Sequence, residues 1–168
     1  MIFVVVGSQE PFDRLVKVVD SWASNNRENN VFAQIGKTNY RPSHVQWAEF
    51  LSPAEFEKKF IEAEIIVSHA GMGTIIYALS HSKPILVMPR LLLYREHRND
   101  HQLATVRSFD RLGYLSVAYN EDELMKKLNS IEYIRSMKSI GPYAAASLID
   151  EVKKFIFSPK KCKNYNKK

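Results

Sequence analysis

The chain has 168 residues, a net charge of +6, a hydrophobic fraction of 45% and one cysteine, Cys162. This length suits one domain with its own core, and a lone cysteine excludes a disulfide framework or a cysteine-based metal site. Five lysines between residues 160 and 168 carry five of the six net charges, so the rest of the chain does not have the basic surface that nucleic-acid binding requires.

The chain opens with a continuous apolar run, Ile2 to Val6, which predicts a strand that is buried on both faces. Residues 7–10 form a polar turn, and helical spacing of apolar side chains then runs from Phe12 to Trp22. One interpretation of this turn is a helix start that is capped by Ser8 or introduced by Pro11. The start is too short and lacks the basic lead of a signal peptide, so we expect a cytoplasmic chain.

The next segments continue the alternation of strand and helix. Val31 to Ile35 predicts a second strand that stops at Gly36, and Val45 to Phe50 predicts a short third one. Ser52, Pro53 and Glu55 provide an N-cap, a first-turn proline and a capping-box acid for a helix to about Ala63. Within this stretch we expect Trp47 and Phe50 to belong to the core.

Residues 65–102 contain the clearest unit: an apolar run at 65–67, a glycine turn, a helical pattern, a second apolar run at 84–88 and a long polar loop. Two buried strands joined by one helix should be parallel. A helix from His101 to Leu112 ends at Gly113, and a last strand covers 115–117. Further helices are expected from Asn120 and over 143–157, followed by a disordered basic tail at 158–168.

Ligands of parallel sheets bind beyond the carboxyl ends of the strands, where residues 68–71 and 89–102 should share one crevice. Gly71 and Gly73 would let a diphosphate approach the main chain, and Thr74 lies where the helix still has unpaired N–H groups. A tight strand-to-helix turn explains the two glycines equally well. A third glycine at Ile76 and a following Lys-Ser/Thr are both absent, which excludes the dinucleotide fingerprint and the P-loop.

Several motifs carry a family resemblance: HAGMGT at 69–74, KP at 83–84, VMPR at 87–90 and EHRNDHQ at 96–102. Together they resemble the nucleotide-sugar half of GT-B glycosyltransferases, of the glycosyltransferase family 28 C-terminal type. PFDRL at 11–15 is typical of the short bacterial subunits of split polysaccharide glycosyltransferases. The pattern is also similar to the catalytic subunit of the eukaryotic split N-acetylglucosaminyltransferase and to the C-terminal domain of the peptidoglycan N-acetylglucosaminyltransferase.

The resemblance implies an α/β fold, a Rossmann-like parallel sheet with helices on both faces, over residues 1–157. It implies a donor site for a UDP-sugar, in which Gln102 is the first candidate for a sugar contact. The implied donor-binding residues are Gly7, Ser8, Gln9, Gly71, Met72, Gly73, Thr74, Arg90, His97, Asn99, Asp100, His101 and Gln102. Asp100 has a second interpretation as the N-cap of the helix that follows, and His97 as a solvated loop residue.

The ribose contact departs from the family pattern and the catalytic base has two candidates, whereas the absence of a metal-binding motif fits the family. Many relatives hold the ribose with an acid where this chain has Tyr77, which leaves a tyrosine hydroxyl or simple core packing. His69 and Glu10 are candidate catalytic bases, although the base in GT-B enzymes usually lies on the acceptor half. The chain has no Asp-x-Asp, so we expect metal-independent, inverting transfer with no cofactor.

This length is about half of what a two-domain glycosyltransferase needs, given domains of roughly 100–150 residues. We therefore expect a membrane-anchored partner subunit that binds a lipid-linked saccharide acceptor, in capsule or exopolysaccharide synthesis. The chain would then be peripheral to the inner face of the membrane. The alternative is a nucleotide-binding regulatory subunit without catalytic activity.

Overall fold

The structure is a computed structural model that describes residues 1–134, 140–141 and 146–157. Its strands are β1 (Ile2–Val5), β2 (Val31–Gln34), β3 (Gln46–Ala48), β4 (Ile65–His69), β5 (Ile85–Met88) and β6 (Ser116–Val117). Its helices are α1 (Asp13–Asn25), α2 (Pro53–Glu62), α3 (Met72–Ser80), α4 (His101–Arg111), α5 (Glu121–Leu128) and α6 (Ala146–Phe157), with short 3-10 turns at Leu92–Tyr94 and Ile131–Tyr133.

The six strands form one parallel sheet in the order β3-β2-β1-β4-β5-β6. The strand β1 lies in the middle, with Phe3 opposite Phe32 of β2 on one side and Ile66 of β4 on the other. The chain therefore reverses its direction of winding next to β1, and the loops after β1 and β4 lie side by side. This is the position where parallel sheets bind their ligands.

Alternate residues of the strands point into two separate cores. On one face Ile2, Val4 and Val6 pack against α1 and α5, and on the other Phe3 and Val5 pack against α2, α3 and α4. The central strands are apolar on both faces because helices cover both faces. The predicted parallel sheet with helices on both sides is confirmed.

Local signals at the helix ends are confirmed in part. Ser52 and Glu55 form the predicted capping box, and Asn120 accepts a hydrogen bond from the Glu123 N–H. The predicted cap by Ser8 is wrong, since α1 begins at Asp13 and Phe12 precedes it without a side-chain cap.

The edges of some predicted segments also differ. The third strand covers only Gln46–Ala48 of the predicted 45–50, because β3 is an edge strand paired on one side. The final helix is seen from Ala146, and the predicted start at 143 lies outside the described residues. The predicted disordered tail at 158–168 also lies outside them. No helix in the described part of the chain is both long and apolar enough to span a bilayer.

Candidate functional site

A cleft of about 350 Å³ opens at the carboxyl edge of the sheet, between the loops that follow β1, β4 and β5. Its walls combine main-chain turns, amides, imidazoles and one buried guanidinium. The lining residues are Val6, Gly7, Ser8, Gln9, Glu10, His69, Gly71, Gly73, Thr74, Arg90, Glu96, His97 and Gln102. Most of the side chains that the sequence predicted for the site therefore lie around one cavity.

The imidazole of His69 fills the space between two glycines at the floor of the cleft. A Cβ atom at Gly7 would lie 2.8 Å from its Cε1, and one at Gly71 would collide with its Nε2. Gly7 also has a φ of 83°, which L side chains rarely adopt. The backbone conformation therefore favours glycine at position 7, and a side chain at position 71 would force the imidazole of His69 to move.

His69 is held in a neutral form. Its Nδ1 lies 3.3 Å from the carbonyl oxygen of Val5, which can only accept, so Nδ1 carries the proton and Nε2 has a free lone pair. Burial, and then the nearby charge of Arg90, lowers the pKa of His69 to about 4. The imidazole is unprotonated at neutral pH, but such a low pKa makes it a weak base.

The first turn of α3 faces the cleft with unused hydrogen-bond donors. Gly71 precedes the helix without a side-chain cap, and within the described residues the N–H groups of Met72, Gly73 and Thr74 have no acceptor. Nothing lies within 4 Å of the position that a Cβ of Gly73 would take. An anion can therefore approach these N–H groups, and the positive end of the helix dipole favours it.

Arg90 lines the cleft, but its guanidinium makes hydrogen bonds to main-chain oxygens of the protein. Its guanidinium donates to four carbonyl oxygens: Val6 and Glu10 from Nη2, and Pro11 and Glu96 from Nη1, at 2.6 to 3.2 Å. The residue is only 3% exposed, and Phe12 packs against its guanidinium. Its first effect is to fix the loop from Gly7 to Pro11 against the loop after β5.

Gln102 is buried at the cleft wall, where its Oε1 accepts a hydrogen bond from the Arg90 N–H at 3.1 Å. This bond leaves the amide Nε2 as the group that is free to donate into the cleft. The half-buried His97 lines the cleft as well, with Nδ1 3.1 Å from the Asn99 carbonyl oxygen.

The other residues of the motif lie away from the main cleft. Asp100 takes the N-cap position of α4, as its second interpretation placed it, but its carboxylate accepts from the Leu92 N–H and makes no capping hydrogen bond to the helix. The carbonyl oxygen of the Asn99 side chain accepts from the His101 N–H instead. Met72 and His101 are exposed, and Asn99 lines a smaller cleft next to Gln9 and Glu10.

A second, larger cleft of about 630 Å³ adjoins the first and shares Ser8, Gly73 and Thr74 with it. Apolar groups dominate its walls, including Phe50, which is 44% exposed. The expectation that Phe50 belongs to the core is wrong, whereas Trp47 does pack against it. Tyr77 also lines this cleft, and its ring packs 4.6 Å from that of Phe60.

Sequence reasoning missed a buried ion pair behind the site, between Arg14 and Glu96. Arg14 donates from Nε and Nη2 to the two carboxylate oxygens of Glu96, both at 2.9 Å. The two side chains are 10% and 9% exposed. Both residues stand in segments that carried the resemblance, which was the only available signal, since 82 residues separate them.

Solved structures with similar folds include those of ALG13 and MurG. The NMR structure of ALG13 aligns with a TM-score of 0.59 at 18% identity, covering 90% of this chain and 93% of that one. The crystal structure of Acinetobacter baumannii MurG aligns with a TM-score of 0.61 at 16% identity, covering 90% of this chain and 49% of that one. These likenesses support the fold of one half of a GT-B enzyme.

Proteins with similar sequences are named as N-acetylglucosamine transferases. The UDP-N-acetylglucosamine transferase subunit ALG13 of Candida albicans is 29% identical over 91 residues, or 54% of this chain and 29% of its own. The UDP-N-acetylglucosamine–N-acetylmuramyl-(pentapeptide) pyrophosphoryl-undecaprenol N-acetylglucosamine transferase of Clostridium tetani is 31% identical over 121 residues, or 65% of this chain. The chain spans about a third of that relative's length. The family described as Glycosyltransferase family 28 C-terminal domain matches residues 1–151, and the chain belongs to it.

Proposed function

We propose that the chain is the donor-binding, catalytic subunit of a UDP-sugar glycosyltransferase. The observation that carries this proposal is the single cleft that joins the glycine turns after β1 and β4 to His97 of the loop after β5 and to Gln102 in the first turn of α4. The named relatives are transferases of UDP-N-acetylglucosamine, which supports a UDP-sugar as the donor.

The diphosphate of the donor would bind the first turn of α3, where three N–H groups have no acceptor among the described residues. The nucleoside would occupy the apolar cleft, which shares Ser8, Gly73 and Thr74 with the diphosphate cleft. The sugar would then lie towards His97 and Gln102, where the free Nε2 amide of Gln102 can donate to a hydroxyl. Arg90 would act by holding the loops in place.

In the transfer step, the acceptor hydroxyl oxygen forms a bond to the anomeric carbon of the donor sugar. The bond from that carbon to the diphosphate oxygen breaks, and UDP leaves with the electron pair. Attack from the face opposite to UDP inverts the anomeric carbon. The α3 N–H groups would stabilise the developing charge without a metal ion.

The proton of the acceptor hydroxyl passes to a base. Glu10 is an exposed side chain at the rim of the cleft, with its main-chain oxygen fixed by Arg90. His69 has an available lone pair, but its pKa of about 4 makes it the weaker candidate. Of the two candidate bases on this chain, we propose Glu10 rather than His69.

We further propose a membrane-anchored partner subunit that presents a lipid-linked saccharide in capsule or exopolysaccharide synthesis, with the chain peripheral to the cytoplasmic face. The names of the relatives support a partner subunit and a lipid-linked acceptor, since one is called a subunit and another includes a pyrophosphoryl-undecaprenol group. Helix α6 offers a contact surface, because Leu148, Val152 and Ile156 are all more than 45% exposed.

Two measurements test the proposal. Calorimetric titration should show binding of UDP and UDP-N-acetylglucosamine, with ADP as the control nucleotide. Transfer of radiolabelled sugar to a membrane-embedded acceptor should then require both the chain and the partner. Nucleotide binding without transfer by any combination would favour a regulatory subunit, and transfer by this chain alone would contradict the split enzyme.

A further inference from the structure

The loop between β5 and α4 carries an exposed apolar tip at the rim of the candidate donor cleft. Leu93 is 81% exposed, the highest value among the exposed large apolar side chains of the described residues. Its neighbours Leu92 and Tyr94 are 49% and 52% exposed. Three consecutive apolar side chains in water on a one-turn 3-10 segment have no role in the core.

Hydrogen bonds fix the loop in the conformation that exposes these side chains. The carbonyl oxygen of Leu91 accepts from the N–H groups of Tyr94 and Glu96, and that of Leu92 accepts from the Arg95 N–H at 2.9 Å. Arg95 closes the turn with a φ of 57°, a conformation that is uncommon for residues other than glycine.

Side chains hold the base of the turn as well. The Leu91 N–H donates to the carboxylate of Glu96, and the Leu92 N–H donates to that of Asp100. Arg14, which binds Glu96 bidentately, lies with its guanidinium 4.6 Å from the centre of the Tyr94 ring. The acidic groups at the base are thus occupied, and the leucines are presented on a fixed support.

Two cations flank the tip. Arg95 and Arg98 are exposed, and neither has an acidic partner in the part of the chain that the structure describes. An apolar tip with unpaired cations beside it is complementary to the surface of an anionic bilayer. The leucines can insert among the lipid acyl chains, and the arginines can form ion pairs with the lipid phosphates. A stable protein interface needs roughly 800 Å² from each partner, which this tip alone does not provide.

We propose that the segment Leu92–Arg98 is a membrane contact of this subunit, with Leu92 and Leu93 inserted and Arg95 and Arg98 at anionic headgroups. The side chains of Leu92, Leu93, Arg95 and Arg98 do not line the donor cleft, although Glu96 and His97 of the same segment do. If the function proposed above holds, the membrane contact would place the rim of the cleft at the membrane surface, where a lipid-linked acceptor lies.

The test is co-sedimentation of the full chain with vesicles of phosphatidylcholine, with and without phosphatidylglycerol. The parent chain should prefer the anionic vesicles. The double variant Leu92→Ser/Leu93→Ser should bind them at least about tenfold more weakly, because two apolar side chains no longer enter the bilayer. The matched control is Ile61→Ser, since Ile61 is 48% exposed and lies in the last turn of α2, near the amino edge of the sheet.

A second pair of variants tests the contribution of the arginine charges. Arg95→Glu/Arg98→Glu should remove the preference for anionic vesicles, whereas Arg27→Glu, in the turn before β2, should retain it. Circular dichroism confirms that each variant is folded. UDP titration of the leucine variant should match the parent. A failure of the membrane contact can therefore be told apart from a failure of donor binding.

Three results would overturn the membrane contact. One is a parent chain that binds neither vesicle. Another is unchanged binding by the leucine variant, together with release on deletion of 159–168, which would assign the binding to the basic tail. The third is a leucine variant that still binds vesicles but no longer co-purifies with its membrane-bound partner subunit, which would make the tip a protein interface.

Discussion

Arg14 of α1 and Glu96 of the loop after β5 form a bidentate, almost fully buried ion pair. The same guanidinium also donates to the Pro89 carbonyl oxygen and to Glu121 of α5. One side chain therefore ties the first helix to the end of β5 and to the loop that carries His97. The shape of the candidate donor cleft depends on this connection.

Breaking that pair from one side should destabilise the fold strongly. Glu96→Gln leaves the buried Arg14 with only the part-exposed Glu121 as a counter-charge, and we expect a loss of about 3 kcal/mol in the free energy of unfolding. The double variant Arg14→Met/Glu96→Met should recover most of this loss, since it removes both charges. Urea denaturation of the parent, of Arg14→Met, of Glu96→Met and of the double variant measures the coupling.

The exposed pair Arg41–Glu49 is the control, because its side chains are both 46% exposed at a distance of 2.7 Å. Glu49→Gln should cost less than about 1 kcal/mol. Equal losses for Glu96→Gln and Glu49→Gln would show that burial does not strengthen the first pair.

The sheet was predictable from the sequence because its central strands are buried on both faces. Runs such as Ile2 to Val6 are continuous and β-branched, and only helices on both sides of the sheet make such runs favourable. The strand β3 was less predictable, because one side of an edge strand is unpaired and its length is set by the neighbouring strand.

The membership of the cleft was predictable, but the hydrogen bonds inside it were not. Strand order brings residues 7–10, 69–74 and 90–102 to one edge. The Arg90 guanidinium donates to four carbonyl oxygens and not to an open ligand site. This depends on loop conformations that no local sequence pattern specifies. For the same reason the sequence could place Asp100 in the donor site or at the start of α4, but it could not show that its carboxylate accepts from the Leu92 N–H.

Gly73→Val should remove most UDP binding while leaving the fold intact. A valine side chain there enters open space in the free protein, so it meets no protein atom, but it lies where phosphate oxygens would approach α3. Calorimetric titration with UDP measures the loss, and thermal unfolding reports on stability.

Ser80→Val is the matched control, since it places the same β-branched residue at the far end of α3. Gly73→Ala should have an intermediate effect on UDP affinity. A folded Gly73→Val variant that titrates like the parent would move the diphosphate away from this turn.

Gln102→Ala should weaken the discrimination between UDP-sugars more than the affinity for UDP. Loss of one amide contact to a sugar costs roughly 1–3 kcal/mol, whereas the N–H groups of α3 remain in place. Competition titrations with UDP and several UDP-sugars give the two affinities separately.

Gln102→Glu separates the two functions of this side chain. A carboxylate still accepts from the Arg90 N–H but cannot replace the Nε2 donor. Discrimination should therefore fall in both variants. Equal losses of UDP and UDP-sugar affinity in either one would remove Gln102 from the sugar site.

Buried, neutral His69 should make the fold sensitive to acid. Its pKa is about 4 in the folded chain against a reference value of 6.5, so between these values the unfolded chain binds the proton first and stability falls as the pH is lowered. The contribution is complete above pH 6.5 and should fall by up to about 3 kcal/mol as the pH approaches 4. Urea denaturation at several pH values from 7.5 to 4.5 should show this slope in the parent and a smaller one in His69→Gln, whose amide does not titrate. Parallel pH profiles for the two proteins would mean that His69 takes up its proton in the folded state as readily as in the unfolded one.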